Sequence, residues 1–146
     1  MSNRESMQYA IHVNEEKGVV AVRIMDGVNQ LANEFAMFCR KNNTYFDGEY
    51  FESFVNKYGK QVDKIVGLAT CNTEAGDTFD VEFGVRLAQE RAMTCFEGYR
   101  TKFYTGYCLK LDDIAERASR RAEASDERRC NRIDRVNDLI EELKHQ

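Results

Sequence analysis

Apolar and polar residues alternate from Gln8 to Val13, and a second run, Gly18 to Met25, is rich in valine and isoleucine. With Asn14-Glu15-Glu16-Lys17-Gly18 between them, the two runs predict a β-hairpin. The period then changes. Asp26-Gly27, normally a hairpin-turn signal, leads into Val28, Leu31, Phe35, Phe38 and Cys39 at helical spacing, so a helix is expected to interrupt the sheet and to end at Asn42-Asn43. A second short helix carries Tyr50, Phe51, Phe54, Val55 and Tyr58 on one face, and Gly59 is expected to stop it. Ile65, Val66, Leu68 and Ala69 then form a third strand, and the polar run Asn72 to Asp77 turns the chain toward a helix with Thr78 or Asp80 as N-cap.

From Asp80 to Gln146 only Gly84, Gly98 and Gly106 weaken helical propensity, and the whole chain has no proline, which predicts one long helix or two stacked ones with any break at Thr105-Gly106. Leu87, Ala88, Ala92, Phe96 and Phe103 belong to a stripe able to cover the sheet. Farther on, Leu111, Ile114 and Ala118 extend the pattern, and the run EASDERR interrupts it. Ile133, Val136, Ile140 and Leu143 then resume at three-four spacing like heptad core positions, too short to be stable alone. The expected fold is therefore α+β. It has a three-stranded, mainly antiparallel sheet packed by helices, a two-helix insertion (residues 28–62) between strands 2 and 3, and a long C-terminal helical segment. The body spans 1–104, and an oligomerising extension spans 105–146.

At 146 residues the chain can bury a core without staples. Its five cysteines are odd in number and scattered, with no CxxC pair, and its two histidines, His12 and His145, lie at opposite ends. That pattern predicts reduced thiols in a cytoplasmic setting and no zinc site. The amino terminus lacks a signal-like apolar core, and no run approaches the ~18 apolar residues of a membrane span. Net charge is −4, and residues 116–146 are balanced at eight basic and eight acidic side chains, so the acidic surplus lies in the body. A mildly acidic body argues against general duplex-DNA binding, which needs a basic face to displace counterions.

Candidate chemistry is sparse. A nucleophilic Cys71 would need a base, and His12 is the one plausible partner in the sequence. The acidic residues Glu74, Asp77, Asp80 and Glu82 lack calcium-loop spacing and suit helix capping. No phosphate-loop motif is present and no cofactor is expected. Arg86 and Arg91, with Asp77, Phe79 and Tyr99, form a candidate ligand-binding set, because forked arginine hydrogen bonds and ring stacking are the means of holding a nucleotide.

Around the turn, ATCNTEAGDTFDVEFGVRLAQERA resembles a group of small proteins of bacteriophages and prophages of Gram-positive bacteria. Their pattern is a strand ending in Lys-Cys, a short loop, Asp-x-Phe-Asp or Asp-x-Tyr-Asp, Glu-x-Gly and a helix with Leu-Ala. The matching positions are Cys71, Asp77, Phe79, Asp80, Glu82, Gly84, Leu87 and Ala88, while Thr70 stands in place of the lysine. The resemblance implies a small α+β accessory factor in a neighbourhood that includes phage counter-defence proteins, some of which sequester cyclic ADP-ribose signals of the Thoeris system. Residues 28–62 replace a tight hairpin of that group, and a new element is a natural place for a protein interface.

The expected function is therefore non-enzymatic inhibition of a bacterial immune system in the host cytoplasm, most directly by occluding an immune nuclease as anti-CRISPR proteins do. In that reading Glu34, Asp47, Glu49 and Glu52, with Asp63, engage a basic nucleic-acid channel, and Tyr45, Phe46, Tyr50 and Phe51 anchor. The alternatives are a sponge for a cyclic nucleotide or ADP-ribose signal and an oligomeric structural or regulatory phage protein.

Overall fold

The computed structural model describes residues 7–71, 76, 78 and 80–146. The protein is α+β: strands β1 (Tyr9–Asn14), β2 (Val19–Ile24) and β3 (Val66–Thr70) form a sheet in the order β1-β2-β3, with both pairs antiparallel. Between β2 and β3 stand α1 (Gly27–Lys41) and α2 (Gly48–Val62), and α3 (Val81–Lys144) follows β3. The chain divides into two compact units, Met1–Tyr104 and Thr105–Gln146, with α3 contributing to both.

Within the first unit the hairpin turn closes because Gly18 takes φ 62°, a left-handed conformation that costs glycine nothing, and because Asn14 Oδ1 accepts from the Lys17 amide at 3.1 Å. Asp26, also left-handed at φ 47°, redirects the chain from β2 into α1. Its own side chain does not cap that helix. The Asp63 carboxylate, arriving from the end of α2, accepts from the Val28 amide at 3.0 Å instead.

One sheet face carries Val20, Val22, Ile24, Gly67 and Ala69, all buried, and strand alternation puts Val66, Leu68, His12 and Arg23 on the other, exposed face. The apolar weight of β3 therefore points the unexpected way, with its large residues outward and its small ones inward. The reason lies in α3. A Cβ built on Gly67 would stand 1.9 Å from the Ala88 carbonyl oxygen and 2.6 Å from the Ala92 amide nitrogen, and one on Gly84 would stand 2.9 Å from Val20 Cγ2. Small residues let the helix backbone lie directly on the sheet.

The second part of this unit's core is aromatic. Phe35 of α1 and Phe103 of α3 are fully buried with ring centroids 4.8 Å apart, and Phe54 of α2 meets Phe103 edge-on at 5.1 Å. Gly59 does not end α2, which runs on to Val62. It is a buried helical position where a Cβ would press on Val55 Cγ1 at 2.9 Å. Nor does α3 break at Thr105-Gly106. Among the described residues, no helix is long and apolar enough to cross a membrane.

Candidate functional site

The connection between α1 and α2 is short and held at both ends. Asn42 Nδ2 donates to the Phe38 carbonyl at 2.8 Å, Asn43 adopts φ 52°, and the Thr44 amide donates to the Cys39 carbonyl at 2.9 Å. On the other side Asp47 caps α2, its Oδ1 accepting from the Tyr50 amide at 3.0 Å, and the Gly48 amide donates to Phe46 at 3.0 Å. Tyr45 stands on this connection 95% exposed. Beside it Phe46, 42% exposed, rests on Phe35 at 5.0 Å and on Phe51 at 5.5 Å. Phe38, 38% exposed, stacks on Phe35 with ring centroids 6.4 Å apart. The tip thus shows three aromatic side chains, two of them footed in the core, with Glu49 and Glu52 exposed on the adjoining helix.

Other residues expected at this surface serve the fold. Tyr50 is half-buried and donates its hydroxyl to the Phe103 carbonyl at 2.6 Å, and burial, with Asp47 second, pushes its pKa up. Asp47 is occupied as a cap. Glu34 Oε2 accepts from Arg100 Nε at 3.0 Å, and Arg100 also pairs with Glu97 and lies over the Phe96 ring at 5.0 Å. Burial works against that guanidinium's charge, but the hydrogen bonds and charges of Glu97 and Glu34 outweigh it and hold its pKa up. Next to this network Tyr104 is pushed up to about 12, first by burial and then by the Glu34 charge. Burial also raises the Cys39 thiol, as expected of an inert core cysteine.

The candidate ligand-binding set is spread out. Asp77 and Phe79 lie outside the described residues. Arg86 and Arg91, five residues apart, leave α3 about 140° from one another at 3.6 residues per turn. Arg91 Nη1 donates to the Leu68 carbonyl at 2.6 Å, closing part of the β3 edge. Tyr99, half-buried, packs on Tyr58 at 5.9 Å, with Lys102 Nζ 5.1 Å from the Tyr58 ring and 5.4 Å from that of Tyr99. It borders a shallow depression of about 480 Å3 whose other lining includes Lys60, Lys64, Val66 and Cys95. The sequence pattern gave no sign of this grouping, because it joins the stretch from Lys60 to Val66 with Cys95 and Tyr99 of α3, about thirty residues farther on.

Cys71 gains no base. Its Sγ faces the Thr78 carbonyl at 3.6 Å, while His12 lies on the far edge strand and, by alternation, on the opposite sheet face. Asp80 caps α3, accepting from the Phe83 amide at 3.1 Å. Among the described residues, no group of three His, Cys, Asp or Glu side chains could hold a metal ion.

In the second unit Ile133, Val136, Ile140 and Leu143 are all exposed along α3, as are Leu109, Leu111 and Ile114. No family model, curated protein or solved structure matches the chain.

Proposed function

We propose that the protein is a non-enzymatic phage counter-defence inhibitor that docks its α1–α2 tip on a bacterial immune nuclease. The observation that carries this reading is Tyr45, exposed on a hydrogen-bonded connection beside the partly exposed rings of Phe46 and Phe38. Tyrosine and other aromatic anchors dominate protein interfaces. Glu49 and Glu52 add negative charge suited to a basic nucleic-acid channel, which sets partner choice and encounter rate. The resemblance at Cys71 to Ala88 supplies the immune setting, and action would be in the host cytoplasm.

The test is cleavage of target DNA by purified CRISPR effector nucleases with and without the protein. The wild type is expected to block one of them, and Tyr45→Ala combined with Glu49→Lys and Glu52→Lys to weaken inhibition by at least about tenfold, or 1.4 kcal/mol. Inhibition unaffected by these changes would place the surface elsewhere.

A second reading, retention of a nucleotide signal, is favoured by the depression that joins Lys60 and Lys64 to Tyr99. In titration calorimetry with cyclic ADP-ribose it expects binding that Lys60→Glu with Lys64→Glu abolishes, and absence of heat would remove it. In either reading we propose that copies associate through Ile133, Val136, Ile140 and Leu143.

A further inference from the structure

The second unit holds a longer seam than its last heptads. Leu111, Ile114 and Ala118 recur eleven residues on as Ala122, Ser125 and Arg129, and again as Ile133, Val136 and Ile140. At 3.6 residues per turn these positions, with Leu143, fall within an arc of roughly 100° on one side of the helix. An eleven-residue repeat keeps such a stripe almost straight. The acidic and basic run that appeared to interrupt the pattern does not cross this face except at Arg129, whose Nη2 is paired with Asp126 at 2.8 Å. Every described residue from Leu111 on is exposed, so the seam is uncovered.

Its flanks differ in charge. On one side, about 50–110° from the seam centre, lie Lys110, Arg117, Arg121, Arg128, Arg132 and Arg135, with no acid among them. On the other side are Asp112, Ser119, Asp126 and Asn137, with Glu123 and Glu141 at the outer margin; Lys144, in the last turn, is the one basic residue on this side. We infer that this face pairs with the same face of a second copy, and that the two helices run parallel and in register.

The argument is electrostatic. When two identical helices pack in parallel around a twofold axis along their length, each helix's basic flank meets its partner's acidic flank. Arg121 then reaches Asp126 of the partner subunit, about five residues on, the offset of g-to-e pairs in coiled coils. Antiparallel packing around a perpendicular axis brings like flanks together, with Arg121 beside Arg135 of the partner subunit and Arg128 beside Arg128 of the partner subunit. Like charges so placed are destabilising pair by pair. The parallel arrangement places the two Arg129 side chains level with each other in the seam, each held by the flanking Asp126 of its own chain, a polar layer of the kind that fixes register at some loss of stability.

This inference rests on the self-association proposed above and adds its partner and direction. The test uses the full chain with Cys71, Cys95, Cys108 and Cys130 changed to serine. Light scattering at high micromolar concentration is expected to give twice the 16.9 kDa chain mass. Ile133→Cys is expected to oxidise to a covalent dimer by itself, since a disulfide requires Cα atoms within about 7 Å. A monomeric mass, or one above a dimer, overturns the pairing altogether. A dimer whose Ile133→Cys chains link only when mixed with Ala122→Cys chains leaves self-association standing and overturns the parallel direction.

Discussion

Replacing Gly67 with alanine tests whether α3 lies backbone-to-backbone on the sheet. The new Cβ would be 1.9 Å from the Ala88 oxygen and 2.6 Å from the Ala92 nitrogen. Both are main-chain atoms of a helix, so no side-chain rotation relieves the overlap. A tolerable carbon–oxygen separation is about 3.3 Å, so the helix or the strand must retreat by about 1.4 Å. A gap of 0.5–1 Å already forfeits a quarter to a half of a dispersion contact, and here the loss extends along the buried Val20, Val22, Ala69 and Ala88 cluster. The expected cost is about 3 kcal/mol, at the upper end of overpacking effects, and the midpoint should fall by roughly 10–20 °C for a unit of this size. Unfolding is best followed by tyrosine fluorescence, since the chain has seven tyrosines and no tryptophan. Gly98→Ala is the paired control: a Cβ there meets nothing within 4 Å, so it should stabilise by up to ~1 kcal/mol. If Gly67→Ala unfolded within about 0.5 kcal/mol of wild type, the range of ordinary surface changes, the close helix–sheet approach would be wrong.

Asp47→Ala should cost about 1 kcal/mol in urea unfolding by uncapping α2, and an unchanged midpoint would mean that the Tyr50 amide is satisfied without it. Tyr104, with its folded pKa raised to about 12 from the ordinary tyrosine value of about 10, contributes stability that is complete below pH 10 and is lost as pH rises through 12. A tyrosinate absorbance titration should therefore show a late component that Tyr104→Phe removes and Glu34→Gln moves to lower pH; a titration complete by pH 11 in the wild type would refute it. Tyr45→Ala should leave the thermal midpoint unchanged, because a side chain 95% exposed gives up little burial, and a fall of several degrees would show that Tyr45 has a structural role.

The elements were legible wherever one period ruled a segment. The hairpin, α1 and the insertion follow from alternation giving way to Leu31, Phe35 and Cys39, all buried. Gly59 and Gly67 were not legible. Gly59 reads as a helix stop, yet it lies inside α2, where a Cβ would press on Val55 of the same helix; Gly67 is small because the backbone of α3, far along the sequence, presses on it. The site divided in the same way. Tyr45, Glu49 and Glu52 remain on the surface, whereas Tyr50, Glu34 and Arg91 were absorbed by the Phe103 carbonyl, Arg100 and the Leu68 carbonyl, partners 53, 66 and 23 residues distant. A local pattern shows that an arginine or a glutamate is present, but not what it already holds.

The hydrogen bonds that fasten the α1–α2 connection carry a thermodynamic consequence. A binding loop that orders only on contact surrenders backbone entropy of about 1–2 kcal/mol per residue at the moment of association. Here Asn42, Thr44, Asp47 and Gly48 have met that cost during folding, and Phe46 is already seated against Phe35. What remains for a partner to immobilise is chiefly the Tyr45 side chain, at roughly 0.5–1.5 kcal/mol. A partner docking on the tip as proposed would meet a rigid body, so a small footprint would suffice for useful affinity, and the association should carry little of the unfavourable entropy that marks coupled folding and binding.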